Sequence, residues 1–387
     1  MSLLSKEKLF YADAYQKSFD ACVISCESTS DGNYIAVLDK TAFYPEGGGQ
    51  PSDVGKVDDA MVIDVFEKSG RIYHKINMPL IVGSTVCGEV NFLQRMSNMQ
   101  NHSGEHIVSG IIKSRFGYDN VGFHMGSEFI TIDINGELTG QDIDEVELLA
   151  NEVVFKNLDV EILFPDDLKY KEMNCRSKKD LTGEIRVIQI AGVDTCACCG
   201  LHVAKTGEIG IIKIISHQRY KGGSRISMLC GRRALDDYSS KNKSIYKISS
   251  LLSAKPNEVA VSTESLLNEN SSLKYKLVEQ RLRIFGYIAG SIEPCEKVCI
   301  FEENLTSVEL KQLCQSLCEK AKFALVLSGE NGSSYKYALG SLTGDVVPIG
   351  HRLNKTFNGR GGGKGIMQGS VSGDRGDIEK FFYKGDF

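Results

Sequence analysis

His102 and His106 stand four residues apart, a spacing that returns two side chains to one helical face and lets two imidazoles share one metal ion. Further along, Cys196-Ala197-Cys198-Cys199-Gly200-Leu201-His202 packs three thiols and an imidazole into seven residues. Soft thiolate with imidazole suits zinc, which structural sites hold with four tetrahedral ligands. Two donors from a helix and two from a strand-end loop would complete such a site, with Cys196, Cys198 and Cys199 all eligible as the thiolate. Glu105 stands three residues after His102 and directly before His106, so a metalloprotease arrangement, with glutamate next to the first histidine, does not transfer. Spacing does not separate a structural metal from a catalytic one.

Two other segments carry chemistry. Thr41 to Pro51 encloses Gly47-Gly48-Gly49. Three consecutive glycines fit a tight turn or a close approach of the main chain to a ligand. The flanking Thr41 and Gln50 offer a hydroxyl and an amide to a small polar molecule. From Ile209 to Leu235 there is no Asp or Glu, while Arg219, Lys221 and Arg225 lie there. Such a stretch in a chain of net charge −5 is a candidate for phosphate contacts, although bulk charge excludes binding nucleic acid by net attraction.

These residues need elements to position them. Cys22 to Ser25, Tyr34 to Asp39, Val57 to Phe66 and Arg71 to Lys75 alternate apolar and polar residues, which predicts a small antiparallel β unit over residues 1–85. From Asn91 the period changes to helical and runs to Gly117, carrying the histidine pair. Strands and a helix from Asp142 to Lys156 make the region 86–235 α+β. Two helices fill 236–290. The second places Leu266, Asn270, Leu273, Leu277, Gln280 and Ile284 at alternating four and three residue steps, which fits a dimer seam as well as a helix lying on its own chain. Residues 291–387 return to alternating strands and helices. With 387 residues, two or three domains are expected. No apolar run approaches a membrane span, and the stretch from Met1 to Phe10 lacks the apolar core of a secretory signal. Twelve cysteines in such a chain read as buried thiols or metal ligands rather than disulfides.

Phe43-Tyr44-Pro45-Glu46-Gly47-Gly48-Gly49-Gln50, His102-x-x-x-His106, Cys198-Cys199-Gly200-Leu201-His202-Val203 and Thr206-Gly207-Glu208-Ile209-Gly210 together resemble the editing domain of alanyl-tRNA synthetase. They look most like its free-standing relatives, the alanyl-tRNA editing proteins of the AlaX type. Arg360-Gly361-Gly362-Gly363-Lys364-Gly365 is similar to the glycine motif of the DHH-associated C-terminal domain. The family's Cys-Gly-Gly-Thr-His reads Cys-Cys-Gly-Leu-His here, keeping both ligand positions and losing a threonine hydroxyl. The resemblance implies a β-barrel-like N-terminal domain, an α+β editing core with zinc on His102, His106, Cys198 and His202, a helical linker and an α/β C-terminal domain. It also implies an aminoacyl-tRNA deacylase, a carboxylic ester hydrolase that needs no ATP. Its substrate would be tRNA for alanine mischarged with serine, and in second place glycine. Thr41 matches the family's threonine that supports serine discrimination, and Gln50 is a candidate for contacts near the ester. Arg219, Lys221, Arg225, Arg360 and Lys364 are the expected RNA contacts. About forty residues before Thr41 leave no room for an aminoacylation domain, so the expected chain removes amino acids without attaching them, in the cytoplasm, as a monomer or a homodimer through the linker or C-terminal domain. The competing expectation is a non-catalytic tRNA-binding module with structural zinc. A phosphoesterase is disfavoured because the chain has no Asp-His-His triplet.

Overall fold

The computed structural model describes residues 7–173, 175–176 and 185–385; the first six residues of the Met1–Phe10 stretch lie outside them. The chain divides into two compact units, one reaching Tyr246 and one starting at Lys247.

The first unit begins with a closed antiparallel barrel, ordered β1 (Ser18–Ser28), β2 (Tyr34–Leu38), β5 (Arg71–Ile76), β4 (Ala60–Lys68), β3 (Gly55–Val57) and β6 (Thr85–Val90), with β6 pairing back onto β1. Strict alternation in β6 sends Val86 and Val90 inward to meet Phe19, Val62, Val65 and Ile76. The single strand expected over Val57–Phe66 is instead the β3–β4 hairpin. Asp58 takes a left-handed φ of 48° there, and its carboxylate accepts a hydrogen bond from Cys87 N at 2.8 Å. With no glycine to announce it, the turn rests on an aspartate that tolerates this conformation.

Helix α1 (Phe92–Phe116) follows. The Asn91 side chain caps it by accepting from Gln94 N, and Gly117 closes it at φ 74°. Its centre, from Asn101 to Ile112, is buried on every side although half of it is polar. Around it pack β7 (Asn120–Met125), α2 (Gly140–Lys156), β11 (Asp194–Ala197) and β13 (Gly223–Cys230). An antiparallel sheet runs β12 (Ile212–Tyr220), β13, β8 (Ile130–Ile134), β7; a second, smaller one runs β11, β10 (Val187–Ile190), β9 (Val160–Leu163). Ile107, Ile111, Ile132, Val146, Ile188, Leu201 and Ile226 form one core between them. Helix α3 (Arg232–Leu252) leaves this unit.

The second unit starts with α4 (Val259–Gly290) and builds a five-stranded sheet ordered β14 (Cys295–Phe301), β15 (Ala321–Gly329), β16 (Ser334–Gly340), β18 (Ile366–Ser372), β17 (Arg360–Gly362). Only β14 and β15 are parallel, joined by α5 (Ser307–Cys318). The remaining pairs are antiparallel, so the α/β expectation gives way to a mixed sheet. Both faces are covered: α4 and α5 pack on one, while α6 (Val347–Thr356) and α7 (Arg375–Lys384) pack on the other. Taken together, the chain is α+β.

Candidate metal centre and active site

His102 and His106 project from the buried middle of α1, and Cys198 and His202 come from the loop that leaves β11. Their ligand atoms all lie within 4.8 Å of one another. Cys198 Sγ is 3.4 Å from His102 Nε2, and the His202 ring stands 4.6 Å from that of His102 and 4.5 Å from that of His106. All three imidazoles are buried.

Each imidazole is held from outside through Nδ1. His102 Nδ1 faces Gln50 Oε1 at 2.9 Å, which also accepts from Leu201 N at 3.1 Å. His106 Nδ1 faces Asp194 Oδ2 at 2.9 Å. His202 Nδ1 faces Ser103 Oγ at 3.1 Å, and Ser103 Oγ accepts from Val203 N. An amide oxygen and a carboxylate only accept, so His102 and His106 each carry a proton on Nδ1 and turn Nε2 inward. His202 Nε2 is buried with no hydrogen-bond partner among the described residues. A buried orphan acceptor beside a thiol and two further imidazole nitrogens fits a metal ion.

Electrostatics choose among the three thiols. Burial opposes ionisation of Cys198, but the adjacent imidazoles of His102, His106 and His202 outweigh it and hold the thiol well below its usual range. Burial pushes Cys196 up to about 11, and burial with the neighbouring Cys198 raises Cys199. Cys198 is therefore the thiol poised as a thiolate among the imidazoles.

The ligand loop is pinned along its backbone. Arg186 Nη1 donates to Cys198 O at 2.9 Å and Gly200 O at 2.7 Å, and Tyr11 Oη donates to Cys199 O at 3.1 Å. Gly200 lets the loop lie on His102, since a Cβ there would sit 2.0 Å from the ring. The triple-glycine loop closes over the same place: Tyr44 Oη donates to Gly47 O, Gly49 O accepts from Met125 N, and Phe123 tilts over His102 at 5.2 Å.

The other sequence-derived residues fall as follows. Gln50, fully buried, joins the cluster through Oε1, while its Nε2 has no partner among the described residues. Thr41 is buried at the head of the same loop, with its hydroxyl 2.9 Å from His74 Nε2 and accepting from Phe43 N at 3.0 Å. Burial lowers His74 to about 4, so it is neutral; with Nδ1 facing Ala36 O, its Nε2 accepts the threonine proton. In the acid-free stretch, Arg219 pairs with Glu137, and Arg225 pairs with both oxygens of Asp133 while lying 3.7 Å over the Tyr220 ring. Lys221 stands at the β12–β13 turn with φ 48°. Arg360 and Lys364 are exposed on the second unit. Ser103, Arg186, Asp194 and Arg176 carry no spacing signal in the sequence; Ser103 alone betrays itself by following His102.

Residues 8–93 match the family model of class II (A) tRNA synthetases, and residues 185–230 match that of the threonyl and alanyl tRNA synthetase second additional domain. The alanyl-tRNA editing protein AlaX-L of Pyrococcus horikoshii is 32% identical over 292 residues, 73% of this chain and 72% of that protein. The alanyl-tRNA editing protein Aarsd1 of Rattus norvegicus is 26% identical over 382 residues, 93% of both chains. An alanine–tRNA ligase of Methanobrevibacter smithii is 28% identical over 386 residues, 92% of this chain but 43% of the ligase. With the His–Cys cluster and the glycine loop assembled as described, and the Pyrococcus relative matched over more than two thirds of its length, the chain belongs to the alanyl-tRNA editing proteins of the AlaX type.

Proposed function

We propose that this chain hydrolyses the ester joining a wrong amino acid to tRNA for alanine, chiefly serine and secondarily glycine. The observation that carries this reading is the convergence of three inward-facing imidazoles and one thiolate beneath a glycine loop. A synthetase pocket sized for alanine cannot strongly reject serine or glycine, so a second, hydrolytic site answers the need.

The donor set fits zinc, held by His102, His106, Cys198 and His202. When bound, zinc supplies a Lewis-acid pole that organises the ester end. The protein's own groups do the rest. Gln50 Nε2, buried and unpartnered, is the donor we assign to the oxygen that gains charge as water attacks. Thr41 Oγ1 donates to His74 and accepts from Phe43 N, which leaves one lone pair to accept the hydroxyl proton of a seryl group. Alanine and glycine offer that atom nothing.

For the RNA, we assign Lys221, Arg360 and Lys364 as phosphate contacts, with Arg219 and Arg225 contributing once their pairing with Glu137 and Asp133 is shared. Alanine substitution of Lys221, Arg360 and Lys364 is expected to raise KM for charged tRNA and leave hydrolysis of a minimal aminoacyl-ester mimic unchanged; equal loss on both would remove the RNA assignment. We assign residues 1–85 as the glycine-loop domain, 86–235 as the editing core, 236–290 as the linker and 291–387 as the DHH-associated domain. Leu266, Leu273, Leu277 and Ile284 are exposed on α4 and are the seam of a proposed homodimer. Among the described residues no helix is long and apolar enough to cross a membrane. We place the activity in the cytoplasm, with charged tRNA.

One observation favours a second reading: four protein donors complete a tetrahedral site and leave no open position, as in a structural zinc of a tRNA-binding module. Deacylation of Ser-, Gly- and Ala-charged tRNA for alanine by the purified protein decides. Loss of the seryl ester with sparing of the alanyl ester supports editing. A zinc-loaded protein that binds the tRNA and leaves every ester intact supports the binding module.

A further inference from the structure

We propose that Asp194, clamped by Arg176, is the positioning residue that fixes His106 as a metal ligand, so that the turn between β10 and β11 controls metal retention. The inference rests on the metal reading above. Of the three outer partners on the imidazoles, Gln50 and Ser103 are neutral and Asp194 alone is a carboxylate. Asp194 is itself fixed: Arg176 Nε donates to Oδ1 at 2.6 Å and Nη2 to Oδ2 at 2.8 Å, while His106 Nδ1 meets Oδ2. Arg176 is tied in turn by its backbone, with its N donating to Thr195 O and its O accepting from Ala197 N.

The helix is shaped to receive this turn. Gly110 lies one turn after His106, and a Cβ there would sit 2.4 Å from Val193 O and 2.8 Å from Asp194 Cβ. The bare helix surface lets the turn seat closely enough for the carboxylate to reach the imidazole. The opposite end of the turn is set by Gly192 at φ 72°.

His106, Asp194 and Cys196 also have ligand atoms within metal-binding reach of one another. A second cation is disfavoured there because the guanidinium of Arg176 already occupies both carboxylate oxygens. The trio works as the outer anchor of the first site. A carboxylate behind an imidazole fixes its tautomer and ring plane and strengthens it as a donor, and loss of such a partner typically costs ~10–100-fold in metal affinity.

The test measures zinc affinity of the full-length protein by competition with a chromogenic chelator, with thermal melting of the metal-free forms as the fold control. Asp194→Asn is expected to weaken zinc binding ~10–100-fold and Arg176→Lys by a smaller factor. In a His106→Ala background, Asp194→Asn is expected to cause no further loss, because the imidazole it positions is gone. Stoichiometry is expected to stay at one zinc in the wild type and in Cys196→Ser. Wild-type affinity in both Asp194→Asn and Arg176→Lys would overturn the proposal. So would an equal loss in the His106→Ala background, which would mark general loosening, or a second zinc that Cys196→Ser removes. If Asp194→Asn fails to fold, Arg176→Lys decides alone. A wild-type protein that takes up no zinc would instead sink the metal reading itself.

Discussion

Gln50 is proposed to perform two jobs with the two ends of one amide, and substitution can separate them. Its Oε1 bridges His102 Nδ1 and Leu201 N, one from α1 and one from the ligand loop, while Nε2 is buried without a partner among the described residues. Gln50→Leu keeps bulk and removes the acceptor, stranding two buried donors at ~1–3 kcal/mol each, or ~2–6 kcal/mol together. Part of that cost loosens His102, and since ~1.4 kcal/mol is tenfold, a drop of ~10–100-fold in zinc affinity is expected. Gln50→Glu keeps both acceptor contacts, removes the donor and puts a carboxylate behind His102. Its zinc affinity should stay at or above wild type, since a carboxylate behind an imidazole strengthens it as a ligand, while single-turnover hydrolysis of Ser-charged tRNA slows by ~100–1000-fold, the usual worth of one donor to a developing oxyanion. Chelator competition and rapid-quench deacylation read the two effects independently. Full activity in Gln50→Glu would show that Nε2 takes no part in the reaction. Full zinc retention in Gln50→Leu would refute the bridging role.

Cys198→Ala is expected to abolish stoichiometric zinc binding, with Cys196→Ala and Cys199→Ala retaining it; elemental analysis of the three variants checks this, and retention in Cys198→Ala moves the thiolate role to a neighbour. Thr41→Val should lower the ratio of Ser- to Gly-tRNA hydrolysis by the worth of one hydrogen bond, roughly 0.5–1.5 kcal/mol. The contacts it strands at His74 and Phe43 burden both substrates alike, so an unchanged ratio means that Thr41 only supports the loop. His74 is pushed from 6.5 to about 4 by burial, so between those values the unfolded chain binds the extra proton. Stability from this group is therefore whole above pH 6.5 and falls by about 3 kcal/mol as pH drops toward 4; urea unfolding of wild type and His74→Gln at pH 7 and 4.5 should show the slope flatten in the variant.

What was legible in the sequence follows from how local each signal is. The helix over Asn91 to Gly117 announces both its ends, and its four-residue histidine spacing survives into the structure because a helix fixes that geometry by itself. The Cys–His loop is equally compact in sequence, so its meeting with the helix could be anticipated. Asp194 and Arg176 could not be found that way, because they matter only through a turn that seats on Gly110. The β3–β4 hairpin was hidden for a related reason: its positive φ sits on Asp58 rather than on glycine or asparagine. The acid-free stretch is the opposite case, where a true sequence signal weakens in space. Glu137 and Asp133, which answer Arg219 and Arg225, come from a distant part of the chain.

The placement of the donors also bears on why a polar cluster sits at the centre of the first unit rather than on its surface. His102 and Cys198 are 96 residues apart in sequence, and Gln50 approaches from 52 residues before His102. Barrel, helix and ligand loop thus meet at one point, where apolar contact alone would not fix their register to a fraction of an ångström. Buried imidazoles and a thiolate are costly when unpaired, and that cost falls mainly on arrangements in which the three segments fail to meet. A bound metal adds stability only to the arrangement that presents all four donors, in proportion to how far its concentration exceeds the dissociation constant. The same residues that would define the reacting centre therefore also select the relative placement of the segments that carry Thr41, Gln50 and the glycine loop. Selection of that placement and preorganisation of the proposed ester site would then be one physical requirement, met by one set of side chains.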